Sequence, residues 1–471
     1  MRIAVIGAGP AGSTAAGRIA RLGHDVWLFD RTFDREKPCG GGVPWRSLRT
    51  LEGADARASS RPAAAAGFVP EDETGSVDDP PAGGIVTPFV TGARPGGASA
   101  FPHLAHDLED SAADESLDTV GLLGGARPVQ TEAGALPDAA RITRVVFESP
   151  GGRKAEVTLP RPLFVFSRRK LDRALLLRAE AAGARLVEEA VVGLDRAQHG
   201  WEIHLAGGST HAVDHVVGAD GARSRVRRAV GQAPAEGDFS QAVGWYVPGR
   251  TSDTATVRFD ARIKGYLWIF PRTDHLAVGA CAPLAPGGTD ALWASAGDLL
   301  ATLGLSAHGL PRYSALIPSF GPSAIASNTV AGPGWSLVGD AAGTVDPLTR
   351  EGIGHAIRSA ELLGDAFECG TPREYGSLWA GAFAQEFAWA GARRERFFNP
   401  ELTDRLVRYL DRSRAIRRVM VDLLLGDQDY LTLKRRLLRT ALPAAIQMAI
   451  SLSTTASRRG APAEAGRRAA P

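Results

Sequence analysis

Gly7, Gly9 and Gly12 stand at the spacing G-x-G-x-x-G, between an apolar run (Arg2–Gly7, RIAVIG) and a stretch from Ala11 to Leu22 that reads as a helix. In that setting each glycine has a task. The first makes a tight turn, the second lets backbone approach a pyrophosphate, and the third permits close helix–strand packing. Pro10 and Ala11 then open a helix whose free N–H groups and partial positive charge face the phosphates. Asp30 ends the next strand, 23 positions after Gly7, where a carboxylate can accept hydrogen bonds from ribose hydroxyls. Arg31 has two readings, contact with adenosine or simple continuation of the strand. These residues point to a bound dinucleotide; alone they do not separate NAD from FAD.

Two later segments do. Val217-Gly-Ala-Asp220-Gly-Ala-Arg-Ser-Arg-Val-Arg227 resembles the Asp-Gly motif of flavoprotein hydroxylases related to p-hydroxybenzoate hydroxylase, and Leu337-Val-Gly339-Asp340-Ala-Ala-Gly343 is similar to the Gly-Asp motif of the same superfamily. Three further segments narrow the resemblance to the geranylgeranyl reductase family of FAD-dependent oxidoreductases. They are Pro38-Cys39-Gly40-Gly41-Gly42, Tyr266-Leu-Trp268-Ile-Phe270-Pro271, and Asp346-Pro347-Leu-Thr-Arg350-Glu351-Gly352-Ile353. The last departs from the family at Arg350, where glycine is usual. The resemblance covers residues 1–50 and roughly 160–370, and it implies FAD. It also implies that Arg168 reaches toward the flavin from its helix, the rival reading being a solvated arginine at a helix start.

Chemistry gives these residues their roles. The Asp340 carboxylate, just after a buried strand, can accept a ribityl hydroxyl of FAD or serve as a helix N-cap. A helix beginning near Gly352 and Ile353 directs its N-terminus at the flavin pyrimidine end, where reduced flavin carries negative charge. Gly343, Gly352 and Gly354, with Pro347, suit a backbone close to a flat ring. Gly40, Gly41 and Gly42 form a loop able to approach the same ring. Cys39 beside them donates a proton, packs against the flavin, or is a small hydrophobe. Tyr266, Trp268 and Phe270 alternate on a strand, so all three face one side. That face is a wall for a long apolar substrate or a sheet surface packed on helices. Cys281 and Cys369 are read as structural.

The elements that must position these groups follow from the pattern. Strand, glycine turn, helix and strand (Asp25–Phe29) within about thirty residues make a βαβ unit and a parallel sheet. A helix over Leu171–Gly183, a strand over Arg185–Val192 and a short strand over His215–Gly218 continue the α/β reading. Between Gln241 and Pro283 strands follow one another without helices (VGWYV, ATVRF, YLWIF, LAVGA), as in an antiparallel sheet. Trp335–Gly339 returns to a buried strand, and from Glu361 onward the pattern is mostly helical. The fold class expected is α/β. It comprises a Rossmann-like FAD-binding domain with a parallel sheet (1–50, 160–235 and 328–370), an antiparallel-sheet substrate domain (236–327) and a helical C-terminal region (371–471).

Composition sets the limits. The chain has 471 residues and a net charge of +2, so no global field steers it to nucleic acid. Three cysteines cannot build a disulfide framework and fit a reducing compartment. No export signal and no apolar run of about 18 residues is read, which implies a cytoplasmic protein. Residues 52–140 carry 40 Ala, Gly or Pro among 89, with 15 acidic against 4 basic residues, and read as a poorly ordered acidic insertion. Residues 393–471 hold 17 basic and 8 acidic side chains. Apolar positions at helical spacing in Ile416–Leu425 and Leu433–Leu452 fit a helix packed on its own domain or an interfacial helix at the inner face of a membrane. Ten histidines show no metal-ligand spacing.

The function implied is FAD-dependent reduction of carbon–carbon double bonds in an isoprenoid, geranylgeranyl-type lipid, with Cys39, Tyr266 and Trp268 as catalytic candidates. An isolated alkene is a poor hydride acceptor, so a placed acid and a dry apolar channel are required. No second G-x-G-x-x-G follows, so electrons come from transiently bound NAD(P)H, a ferredoxin-like carrier or a quinone. The alternatives are a flavin monooxygenase acting on an apolar or aromatic substrate, a flavin halogenase, and a non-catalytic electron-transfer flavoprotein at a membrane surface.

Overall fold

The computed structural model describes residues 1–44, 47 and 136–439. The acidic insertion expected over 52–140 lies, up to residue 135, outside the described residues, as does the tail 440–471.

The first apolar run forms β1 (Arg2–Ile6), whose Ile3, Ala4 and Val5 are fully buried. It pairs in parallel with β2 (Asp25–Asp30) on one side and β10 (His215–Gly218) on the other. The sheet continues through β6 (Arg185–Glu188) at one edge and through β17 (Trp335–Leu337) and β16 (Ala331–Gly332) at the other, in the order β16-β17-β10-β1-β2-β6. Both faces of the central strands are covered, which is why they read as unbroken apolar runs. Helix α1 (Pro10–Arg21) is rich in Ala and Gly, and a Cβ at Gly17 would stand 3.2 Å from Ala179 Cα on α2 (Arg168–Ala181). Small residues thus let these helices approach closely over the sheet.

The second sheet has eight strands in the order β15-β11-β14-β13-β12-β4-β5-β3. Its centre is the predicted antiparallel set: β11 (Phe239–Pro248), β12 (Thr254–Phe259), β13 (Tyr266–Pro271) and β14 (His275–Pro283). Strand β15 (Arg312–Pro318) closes one edge. At the other, the sheet takes in β4 (Ala140–Glu148), β5 (Lys154–Val165) and β3 (Gly42–Val43), so it extends well outside residues 236–327. The β12–β4 pair is parallel, a departure from the all-antiparallel expectation. A third sheet, β7 (Val191–Arg196), β8 (Trp201–Leu205) and β9 (Thr210–Val213), was not foreseen. The strand expected over Arg185–Val192 is broken between β6 and β7, each half serving a different sheet.

The two faces of the eight-stranded sheet differ. Val243, Trp245, Leu267, Val278 and Ala280 pack under the helix Gly288–Ala301 through Leu292, Ala296, Leu299 and Leu300. Ala242, Tyr246, Trp268, Ala277, Cys281 and Tyr313, with Tyr266 and Phe270, form the opposite face. Period-two alternation assigns Leu267 and Ile269 to the helix and the aromatic residues to the other side. The C-terminal helices, beginning with Ile353–Glu368, then close over both sheets. Tyr375 donates its hydroxyl to Leu337 O (2.9 Å), and Trp379 Nε1 donates to Thr344 Oγ1 (3.0 Å).

Candidate active site

The three cofactor motifs, far apart in sequence, meet at the start of α1. Gly7 has φ +103°, and a Cβ there would fall 2.3 Å from Ala219 O, so both the turn and its neighbour demand glycine. A Cβ on Gly12 would collide with Gly7 O, and one on Gly339 would stand 2.7 Å from Ala11 Cβ. A Cβ on Gly9, by contrast, meets nothing within 4 Å. Open space above the second glycine, at the start of a helix opened by Pro10 with no side-chain cap, is what a pyrophosphate needs.

The acids are arranged around this turn. Asp30 accepts from Ala8 N (2.8 Å) and, through both oxygens, from Arg35 Nη1 (2.9 Å) and Nη2 (3.0 Å). It therefore braces the glycine turn from below. Arg31, next in sequence, is exposed. Asp220 Oδ2 accepts from Arg225 N (2.6 Å), while its Oδ1 is buried without a partner, and burial pushes its carboxyl up. Asp340 is approached by Lys37 Nζ at 3.5 Å. The Gly9 cradle and the orphaned Asp220 oxygen are the features that fit a dinucleotide.

The loop Pro38–Gly42 joins the two sheets. A Cβ on Gly40 would lie 2.8 Å from the Phe270 ring and 3.8 Å from Trp268 Nε1. The glycine thus lets the loop lie directly on the aromatic face. Trp268 Nε1 is buried with no hydrogen-bond partner. Gly41 is pressed against Phe166 O, and Gly42 begins β3. Cys39 packs with Val43, Phe166, Leu171 and Ile353. Its Sγ accepts from Gly41 N (3.3 Å), and the Arg168 guanidinium lies beside it. The structure therefore gathers Cys39, Gly40, Trp268, Arg168 and Ile353 in one place.

Of the two readings of Arg168, the solvated one does not hold. It is 3% exposed and holds Asp172 through Nε and Nη2, both at 2.8 Å. Burial opposes its charge, but Asp172 and Cys39 more than offset this and keep its pKa above the ordinary arginine value. Gly352 is the N-cap of the helix starting at Ile353, as expected. Its first turn, however, is partly served from within: Glu351 Oε1 accepts from Gly354 N (2.7 Å) and Oε2 pairs with His355 Nε2 (2.9 Å). Pro347 is buried in a turn held by Asp346, whose Oδ1 accepts from Leu348 N (2.7 Å) and Thr349 N (3.0 Å) and whose Oδ2 accepts from the Tyr430 hydroxyl (2.8 Å). Tyr266 donates its hydroxyl to Thr349 O (2.6 Å), and burial pushes its phenol well above the ordinary value.

Sequence reading missed a buried polar cluster behind Cys39. Glu36 accepts from Ser167 Oγ (2.6 Å), Arg168 N (2.8 Å) and Arg169 N (3.1 Å), so it caps α2 from 131 residues away. It also pairs with Arg272, a residue with no exposed surface. Arg272 donates further to Cys39 O (2.6 Å), contacts His275 Nε2 (3.1 Å), and sits 5.2 Å from the Tyr246 ring centroid. The available signal was adjacency: Glu36 precedes the cysteine motif by two positions, and Arg272 follows the aromatic strand by one.

Residues 1–286 match the family model described as FAD binding domain. A relative from Mycolicibacterium smegmatis named menaquinone reductase is 26% identical over 410 residues, covering 82% of this chain and 81% of that protein. Geranylgeranyl diphosphate reductase of Synechocystis is 24% identical over 405 residues, covering 78% and 74%. Among solved structures, a geranylgeranyl bacteriochlorophyll reductase-like protein of Thermoplasma acidophilum superposes with a TM-score of 0.62 at 17% identity, covering 93% of this chain and 98% of that one.

Proposed function

The chain belongs to the FAD-binding-domain family and is an FAD-dependent oxidoreductase; on that premise we propose that it reduces carbon–carbon double bonds in an isoprenoid lipid. The observation that carries this reading is the contact between the Cys39–Gly40 loop and the Trp268–Phe270 wall. It lays the loop that carries the Cys39 thiol on an apolar aromatic surface, where the two larger sheets meet. The relatives named for menaquinone and for geranylgeranyl diphosphate support the same substrate class.

FAD, when bound and reduced, supplies hydride to one alkene carbon. The chain's own groups do the rest. Tyr266, Trp268 and Phe270 hold the lipid and keep water away. The Cys39 thiol protonates the adjacent carbon, Arg168 stabilises the thiolate left behind, and solvent returns the proton. Tyr266 positions rather than protonates, because its hydroxyl is committed to Thr349 O and burial disfavours its ionisation. Electrons arrive from a nicotinamide or another carrier that docks transiently.

The test pairs an absorbance spectrum with product masses. Dithionite-reduced protein is incubated without air with geranylgeranyl-type lipids. A flavin spectrum with products gaining two hydrogens per event supports the reading. Products gaining oxygen instead, when NADPH and air are supplied, would replace it with hydroxylation.

Where the lipid is met is part of the same proposal. No helix among the described residues is long and apolar enough to cross a membrane. The helix over 430–439 exposes Leu431, Leu437 and Leu438 beside Lys434, Arg435 and Arg439, which suits the surface of an anionic bilayer. Co-sedimentation with anionic vesicles, lost with zwitterionic ones, is the expected result.

A further inference from the structure

Among the described residues, Arg350 is the non-glycine residue with a left-handed backbone, at φ 62°. It occupies the position where the resembled family carries glycine, so this chain holds a long cation in a conformation that favours no side chain. Among the described residues no carboxylate pairs with the guanidinium. Its Nε and Nη1 are buried and have no hydrogen-bond partner. The acids that flank it in sequence are both engaged elsewhere. Asp346 serves two backbone N–H groups and the Tyr430 hydroxyl, and Glu351 serves Gly354 N and His355.

A second guanidinium lies on a helix packed with the same segment, since Ala390 shares a buried cluster with Leu348 and Tyr266 packs against it. Arg394, on the helix Gln385–Phe397, donates Nη1 to Ser319 O (2.7 Å), while its Nε is buried without a partner. Burial and then the Arg350 charge lower its pKa, with Glu395 and Asp238 offsetting part of the effect. Thr349, the neighbour of Arg350 in the chain, accepts from the Tyr266 hydroxyl (2.6 Å), which sets this turn against β13 on the side of the aromatic wall. Two half-buried guanidinium groups with buried, unanswered N–H groups, beside the surface that receives substrate, call for an anion with oxygen acceptors.

We infer that Arg350, backed by Arg394, receives an oxyanion carried by the substrate, a carboxylate or a phosphate on the isoprenoid. This rests on the isoprenoid reading above and narrows it from any apolar chain to an acid-bearing one.

Arg350→Gly is the decisive variant, since glycine adopts this backbone freely and restores the family residue. Holoprotein is titrated with three chain-matched probes, geranylgeranyl monophosphate, geranylgeranoic acid and geranylgeraniol, following the flavin absorbance change. Wild type is expected to bind one or both acids more tightly than the alcohol, and the better acid identifies the natural group. In Arg350→Gly, binding of that acid weakens by about 30-fold while the alcohol changes by less than about 3-fold. FAD content and flavin reduction potential stay as in wild type. Equal losses for all three probes, or no loss for either acid, overturn the inference. A shifted potential with unchanged binding overturns it too, because Arg350 would then act on the cofactor. Selective acid binding without hydrogenation leaves the inference standing and removes the reductase reading. Hydrogenation of acid and alcohol alike by both proteins does the reverse.

Discussion

Replacing Arg272 with methionine keeps the volume and removes the charge at the point where the two sheets are tied. Arg272 has no exposed surface, and the Glu36 side chain is 5% exposed. Burial pushes the Glu36 carboxyl up, yet Arg272, the Ser167 hydroxyl and the N–H groups of Arg168 and Arg169 together hold it below the usual range. A group whose folded pKa is depressed adds stability above its unfolded value, and that stability is lost as pH falls through the folded value. Without Arg272 the balance reverses and the carboxylate is left buried against burial's own penalty. Breaking such a pair from one side costs about 3–5 kcal/mol, against a total stability of about 5–15 kcal/mol. The deficit of Arg272→Met should be greatest where Glu36 is ionised and narrow as pH falls, once Glu36 of the variant takes up a proton. Urea unfolding followed by tryptophan fluorescence, at fixed FAD, measures it. The double variant Glu36→Gln/Arg272→Met should be less damaged than the sum of the singles by at least about 2 kcal/mol. A single-variant loss under about 1 kcal/mol, or strict additivity, would refute the assignment of this pair as the tie.

Other substitutions separate structure from chemistry. Gly7→Ala should destabilise the protein and abolish FAD binding, because its Cβ meets Ala219 O; Gly9→Ala should leave urea stability unchanged while weakening FAD at least about tenfold in an equilibrium titration. Cys39→Ala should slow hydrogenation by about 10²-fold with bound flavin intact, and Tyr266→Phe should cost about 1 kcal/mol of stability but less than about tenfold in rate. A larger loss in Tyr266→Phe than in Cys39→Ala would exchange their roles. Burial lowers the His215 pKa from 6.5 to about 4, so the unfolded chain binds the extra proton first as pH falls through that window. Stability should drop by about 3 kcal/mol between those pH values, and His215→Gln should flatten that slope.

What could be read from the chain follows from how local each constraint is. Gly7, Gly12 and Asp30 were legible because turn, helix and acid lie within one βαβ unit, where spacing alone fixes geometry. The aromatic face was legible because alternation on a single strand separates Trp268 from Leu267 whatever that strand pairs with. The Glu36–Arg272 pair was not, since 236 residues separate its members and neither sits in a periodic pattern. The parallel pairing of β4 with β12 is equally non-local, and β4 begins where the Ala/Gly/Pro-rich stretch ends. The self-capping of the Ile353 helix by Glu351 depends on a rotamer rather than on spacing. Arg350 stood out in sequence as a departure from a family pattern; its unpartnered nitrogens emerge only in three dimensions.

Residues 35 to 37 reach in three directions: Arg35 to Asp30, Glu36 to Arg272 and α2, and Lys37 to Asp340. One tripeptide therefore addresses the glycine turn, the eight-stranded sheet and the Gly-Asp motif at once. For protein engineering this sets the unit of exchange. An eight-stranded sheet grafted from a relative will not dock on strand lengths alone; its counterpart of Arg272 and the tripeptide facing it must travel together. Chimeras cut between residue 37 and residue 272 that mix parents at these positions should yield soluble halves that fail to cooperate, and restoring the matched residues should rescue them.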